Sequence, residues 1–231
     1  MNFSTSHIYL FQWTELSRIE FESRIGFQAL RKLIKNQEES LINTRRGFQE
    51  SVKYDEELEA LPPEERGSYY SQIFEIEERL IDELERQQRY SSCQWIFAFF
   101  EGQLESLCNL IEKSFSFKIK LSDLNKHEHL MHYWNFINKV AEFDTQKSEP
   151  FFTPIKQHKF IRNGITHQNG FVAEKIKNSI ANTTGINFSE FGGKYRINII
   201  DSSYFIHLIE KMEMLLKNLF LLADKKYQVK S

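Results

Sequence analysis

At 231 residues, with 41% hydrophobic residues, 14% aromatic residues and 21 Phe, the chain has enough apolar material for one large packed domain, which excludes a disordered protein. With 9 Gly and 4 Pro it is poor in the residues that a loop-rich or all-β fold needs. A formal net charge of −2 excludes a protein that coats nucleic acid with a basic surface, so any such contact must come from a local pocket.

The first stretch, MNFSTSHIYLFQWTELSRIEF, has no basic start and no long apolar run, so no signal peptide is expected. From about Ser6 to Lys53 apolar residues recur at helical spacing, at Ile8, Phe11, Leu16, Ile19, Ile25, Leu30, Leu33, Ile34, Leu41 and Phe48, which predicts a long helix. Pro62-Pro63 cannot continue a helix and predicts a turn. A second long helix is expected from about Glu64 to Phe115, with a bend near Ser91-Ser92, and the two should form an antiparallel hairpin. Within it, Cys93 and Cys108 stand on one helix and cannot easily meet in a disulfide. Free buried thiols fit a reducing cytoplasm.

A further helix is expected after Ser122, a plausible N-cap, carrying Leu124, Leu130, Trp134, Ile137 and Val140. The next should start near Thr153-Pro154 and stop near Gln168, because Asn169-Gly170 is a strong breaker. Gly192-Gly193 between short β-prone runs predicts a small hairpin, and Asp201 or Ser202 should cap a final helix with a basic last turn. The fold class expected is all-α: a bundle with a long N-terminal helical hairpin over 1–89, a helical domain over 90–231, and a small β-hairpin before the last helix. No apolar run is long enough for a membrane span.

Most chemical motifs are absent. His127, His129 and His132 are spaced by two, three and five residues, which does not make the HExxH pattern of a zinc protease, so no metal is expected. There is no nucleophile elbow, Walker loop or dinucleotide fingerprint, and no cofactor is expected. The run WIFAFF at 95–100 fits core packing better than base stacking, and the acidic runs around Glu77 to Arg86 fit solvated helix faces.

One stretch stands apart: FIRNGITHQNGF, residues 160–171. Arg is suited to grip a phosphate through its planar fork, and His to exchange protons near neutrality. Arg162 would hold the phosphate and its transition-state charge, His167 would act as general acid or base, and Asn163 would add a hydrogen bond. On a regular helix Arg162 and His167 point roughly 140° apart. They would converge if the helix distorts, which Gly164 permits, or if a second subunit completes the site. Lys156 and Lys159 are the nearest basic residues that could draw in an RNA backbone, with a solvated basic face as the plainer role.

The order of elements and the Arg162, Asn163, His167 motif resemble the HEPN superfamily, the higher eukaryote and prokaryote nucleotide-binding domains. These are all-α bundles with the pattern Arg-x4–6-His, in which a polar residue commonly follows the Arg. The upstream FAFFEGQLESLCNLI looks like the family's helix with a Glu in an aromatic and Leu setting. The resemblance implies that Glu101 pairs with and orients Arg162. It covers roughly residues 90–225 and leaves the N-terminal hairpin outside.

Many active members are metal-independent ribonucleases, acting as toxins or phage-defence effectors from a cleft shared by a homodimer. The resemblance therefore implies an RNA substrate, a homodimer and an antitoxin or other defence-system protein as partner. Asn169 stands where one toxin branch has a Tyr two residues after the His, so control by modification of that Tyr is not expected. Other members are catalytically silent and bind a protein or nucleotide, which is the alternative.

Overall fold

The computed structural model describes residues 11–124 and 129–230. The expected helix start at Ser6 lies outside them, as do His127 and Glu128 of the histidine-rich stretch. Helix α1 (Thr14–Lys53) and helix α4 (Glu75–Ser114) are the long arms of the N-terminal hairpin. Their pairing is antiparallel: Ser23 meets Gln103, Gln37 meets Ser92, Glu38 meets Arg89, and Arg45 meets Glu85. Between them lie α2 (Glu56–Ala60) and α3 (Pro63–Ile73). Pro63 opens α3, where its missing N–H costs nothing. The second arm is thus not one helix from Glu64. It breaks at Phe74, whose ring packs on Phe48, Tyr69 and Tyr70 in a small separate core with Ile81 at the hairpin tip. Beyond that break α4 runs through Ser91-Ser92 and through position 89 as a single helix.

After α4, a short turn spans Leu121–Asp123. Ser122 lies inside that turn, and Asp123 rather than Ser122 accepts the free backbone N–H, that of Lys120 at 2.8 Å. Helix α5 (His129–Asn135) then widens into a looser turn over Phe136–Val140, closed by Ala141 N–H on the Phe136 carbonyl. Helix α6 (Glu149–Gln168) starts four residues before the expected Thr153. Pro150 sits in its first turn, and Pro154 is tolerated one turn later because only one backbone bond is lost. Strand β1 (Phe171–Val172), helix α7 (Glu174–Ile180), strands β2 (Ile186–Phe191) and β3 (Lys194–Ile199), and helix α8 (Ser203–Lys230) complete the chain. The expected β-hairpin is present and gains β1 as a third antiparallel strand, in the order β1-β3-β2.

The core lies where α1, α4, α6 and α8 pack together. Helix α4 contributes Ile96, Phe97, Phe100, Leu107 and Ile111, and α8 contributes Leu208, Ile209, Met212, Leu215 and Leu219, all fully buried. At one end of the bundle Trp13 closes the structure. Its backbone N–H donates to Asp224 Oδ1 at 3.0 Å, and its ring stacks on Tyr227 with centroids 4.6 Å apart. Cys93 and Cys108 are free and buried, and burial pushes the Cys93 thiol up to about 12. No helix of the described residues is long and apolar enough to cross a membrane.

One buried titratable group tests this packing. His158 on α6 lies against Tyr204, and burial together with the nearby Lys211 charge lowers its pKa to about 4. The unfolded chain therefore takes up a proton before the folded one does. Stability should be unaffected above the ordinary histidine range and fall as pH drops through it. Between pH 7 and pH 5 the loss should be about 2 kcal/mol. Urea denaturation at both pH values checks this, and His158→Phe should flatten the difference.

Candidate functional site

Helix α6 is anchored by Ile155, Ile161 and Ile165, which point into the core. That orientation dictates the rest. Arg162 follows Ile161 by one position and turns toward α4, where Glu101 follows the fully buried Phe100. The two side chains meet: Arg162 Nη2 donates to Glu101 Oε2 at 3.1 Å, and Arg162 Nη1 donates to Asn163 Oδ1 at 3.0 Å. The pair is sheltered, with 21% of the Arg162 side chain and 13% of Glu101 exposed. A pair so placed is stiffer than a surface ion pair, because both partners are packed on the helices that carry them.

A guanidinium has five N–H donors. Glu101 and Asn163 engage one nitrogen each, so donors remain for a phosphate. Glu101 Oε1 is buried and meets no donor from the chain. Asn163 is therefore more than a neutral neighbour: its carbonyl holds Arg162, while its amide group is left to donate.

His167 stands in the last turn of α6 and is exposed. It shares a helix face with Asn163, four residues earlier. The helix is regular through Gln168, so Arg162 and His167 are not brought together within one chain. Gly164 does not distort α6, contrary to the allowance made for it. Its role is close approach: a Cβ there would lie 2.8 Å from Val172 Cγ1 and 3.2 Å from Ile197 Cδ1. Gly164→Ala should cost about 1 kcal/mol, since the stiff, buried Val172 and Ile197 must give way and this outweighs the gain in helix propensity. Gly164→Leu should cost about 2–3 kcal/mol by overpacking, read as a lowered denaturation midpoint.

The helix ends as the sequence dictates. Asn169 takes the left-handed conformation with φ 50°, and Gly170 N–H bonds back to the Gly164 carbonyl at 2.9 Å. Gly170 has no room for a side chain, because Tyr90 Oη occupies the place of its Cβ. Tyr90 in turn donates to the Ile197 carbonyl at 2.6 Å. The motif helix is thus fixed to α4 and to the sheet at its very end. Gln94 adds a long bond to Thr166 Oγ1 at 3.5 Å, a support between residues 72 positions apart that no local pattern signals. Lys156 is exposed and Lys159 half-buried on the outer side of α6. Among the described residues no cluster of His, Cys, Asp or Glu could hold a metal ion.

No family model, no curated protein and no solved structure matches the chain.

Proposed function

We propose that this protein is a metal-independent endoribonuclease of HEPN type, a cytoplasmic toxin or phage-defence effector that works as a homodimer. The observation that carries the reading is the state of the motif: Arg162 is held by Glu101 and Asn163 with donors to spare, and His167 stands exposed in the last turn of the same helix. In this reading the ribose 2′-oxygen attacks phosphorus and the bond to the 5′-oxygen breaks. The 2′-OH proton passes to one histidine, and a second proton is given to the leaving 5′-oxygen. Arg162 holds the non-bridging oxygens as charge builds on them. Two copies facing one another supply two histidines, one as base and one as acid, and bring each Arg162 opposite the partner's motif.

The test is cleavage of RNA in EDTA by the purified protein. Products ending in 2′,3′-cyclic phosphate and 5′-hydroxyl are expected, from a species that sediments as a dimer. Cleavage that stops in EDTA, or products with 5′-phosphate, would rule the mechanism out.

A second reading is a catalytically silent helical module that binds a protein or nucleotide. It draws on Glu101, whose carboxylate offsets the charge of Arg162 in a chain of net charge −2. Expression in bacteria separates the two: growth arrest is expected only of the ribonuclease.

A further inference from the structure

The β2–β3 hairpin packs against the first half of α4 and leaves a cleft of about 530 Å³ between them. Arg196 of β3 reaches into it. Its guanidinium lies between two aromatic rings, 4.5 Å from the centroid of Phe171 and 4.8 Å from that of Phe191. Arg196 Nε is buried and meets no acceptor from the chain, and no carboxylate pairs with Arg196 among the described residues. From the opposite wall comes Arg86, packed on the Tyr90 ring, with its Nη1 equally buried and without an acceptor.

The other charges at the cleft already have partners, and that of Glu83 is Arg86 itself. Arg79 pairs with Glu75, and Arg89 pairs with Glu38 and the Ile199 carbonyl. Asp82 and Glu85 are both held by Arg45 of α1, and Glu83 by Arg86 and Gln87. Two arginine forks thus converge on one space with donors unmet. Glu83 of the same lining pairs with Arg86 Nη2 and its charge acts on Arg196, yet Arg86 Nη1 and Arg196 Nε stay buried without an acceptor from the chain.

We propose that this cleft is a phosphate-binding site that takes nucleotide phosphates, presented by a free nucleotide or by an RNA strand. The phosphate is suited to donors arriving from two directions on planar forks. Asn187 and Asn198 line the hairpin wall and offer amides to a ribose or base, with Asn198 fixed by its bond to Ser189 Oγ at 2.8 Å. Phe191 is 51% exposed at the rim and offers a stacking face. The volume suits a nucleotide-sized ligand. The site is distinct from Arg162 and His167 and does not depend on their being catalytic. It does adjoin them through the chain, since Phe171, which carries one face of the Arg196 stack, follows His167 by four residues.

The experiment is equilibrium binding in EDTA with two probes, ATP and a labelled 2′-O-methyl oligoribonucleotide, which has no 2′-OH and is inert to the proposed cleavage. Wild type is compared with Arg196→Gln, Arg86→Gln and Asn198→Ala, and with Arg18→Gln as a charge control on an exposed α1 residue. Thermal melts identify any variant that fails to fold, and the remaining two then decide. Dissociation constants for at least one probe should rise about tenfold in the arginine variants and less in Asn198→Ala, with Arg18→Gln unchanged. Tighter binding of ATP assigns a free nucleotide, and tighter binding of the oligomer assigns a strand. Absence of binding to both probes at millimolar concentration, or equal binding by all variants, overturns the proposal. Because neither probe is cut, the outcome stands apart from that of the cleavage assay.

Discussion

His167→Ala should lower RNA cleavage by about 10²–10⁴-fold, the usual loss when a proton-transfer group is removed, while leaving the fold intact. His167 is exposed, and its loss should change stability by no more than about 0.5 kcal/mol. Activity and stability are therefore separable at this position. Arg162→Ala should also lower cleavage, by about 10²–10³-fold, but it is the less clean experiment. It strips Glu101 of its partner and leaves a sheltered carboxylate with neither oxygen satisfied. Arg162→Lys keeps the charge and loses the fork, so partial rescue of binding without rescue of rate is expected of it. Rates measured on protein with an unchanged melting curve decide the matter. Wild-type cleavage by folded His167→Ala would falsify the site assignment.

The largest effect on stability should come from Phe97→Ala. Phe97 is fully buried on α4, in the main core shared with α1, α6 and α8. Removing the ring should cost about 3–5 kcal/mol, a large part of what a domain of this kind has to spare. Phe74→Ala offers the contrast. Phe74 belongs to the small cluster with Phe48 and Ile81 at the hairpin tip, apart from the main core. Its loss should open the tip locally and leave the bundle folded. Hydrogen exchange distinguishes the two: amides of α3 and the adjoining ends of α1 and α4 should lose protection in Phe74→Ala, and amides throughout the bundle in Phe97→Ala.

What could be read in the sequence was local. The Pro62-Pro63 turn, the Asn169-Gly170 stop and the Gly192-Gly193 hairpin each follow from the backbone preferences of the residues at that spot. The break at Phe74 was not legible, since its neighbours favour helix and the cause is a ring burying itself against Phe48 across the hairpin. Strand β1 was invisible for the same reason: two residues become a strand only because Tyr195 and Arg196 lie beside them. At the candidate site, Arg162, Asn163 and His167 are adjacent in sequence and drew notice together. Glu101, 61 residues from Arg162, was reached only through resemblance to a family. Nothing in the local sequence around Arg196 hinted that Arg86 would face it. Gly164 reads in the sequence as a place where the helix can distort, because close approach of a sheet to a helix leaves no trace in the helix's own pattern.

The meeting of Trp13 with Asp224 and Tyr227 bears on how the chain is assembled in time. The contact joins residues 211 positions apart. Closing a loop of that length in a flexible chain costs about 5 kcal/mol in entropy, far more than one hydrogen bond and one ring stack return. The contact can therefore form only after α1 and α8 have already been brought side by side by the core. It is a latch set by folding rather than a nucleus for it. With Trp95 and Trp134 replaced by Phe, emission from Trp13 should accordingly report a late step, following the burial of α4.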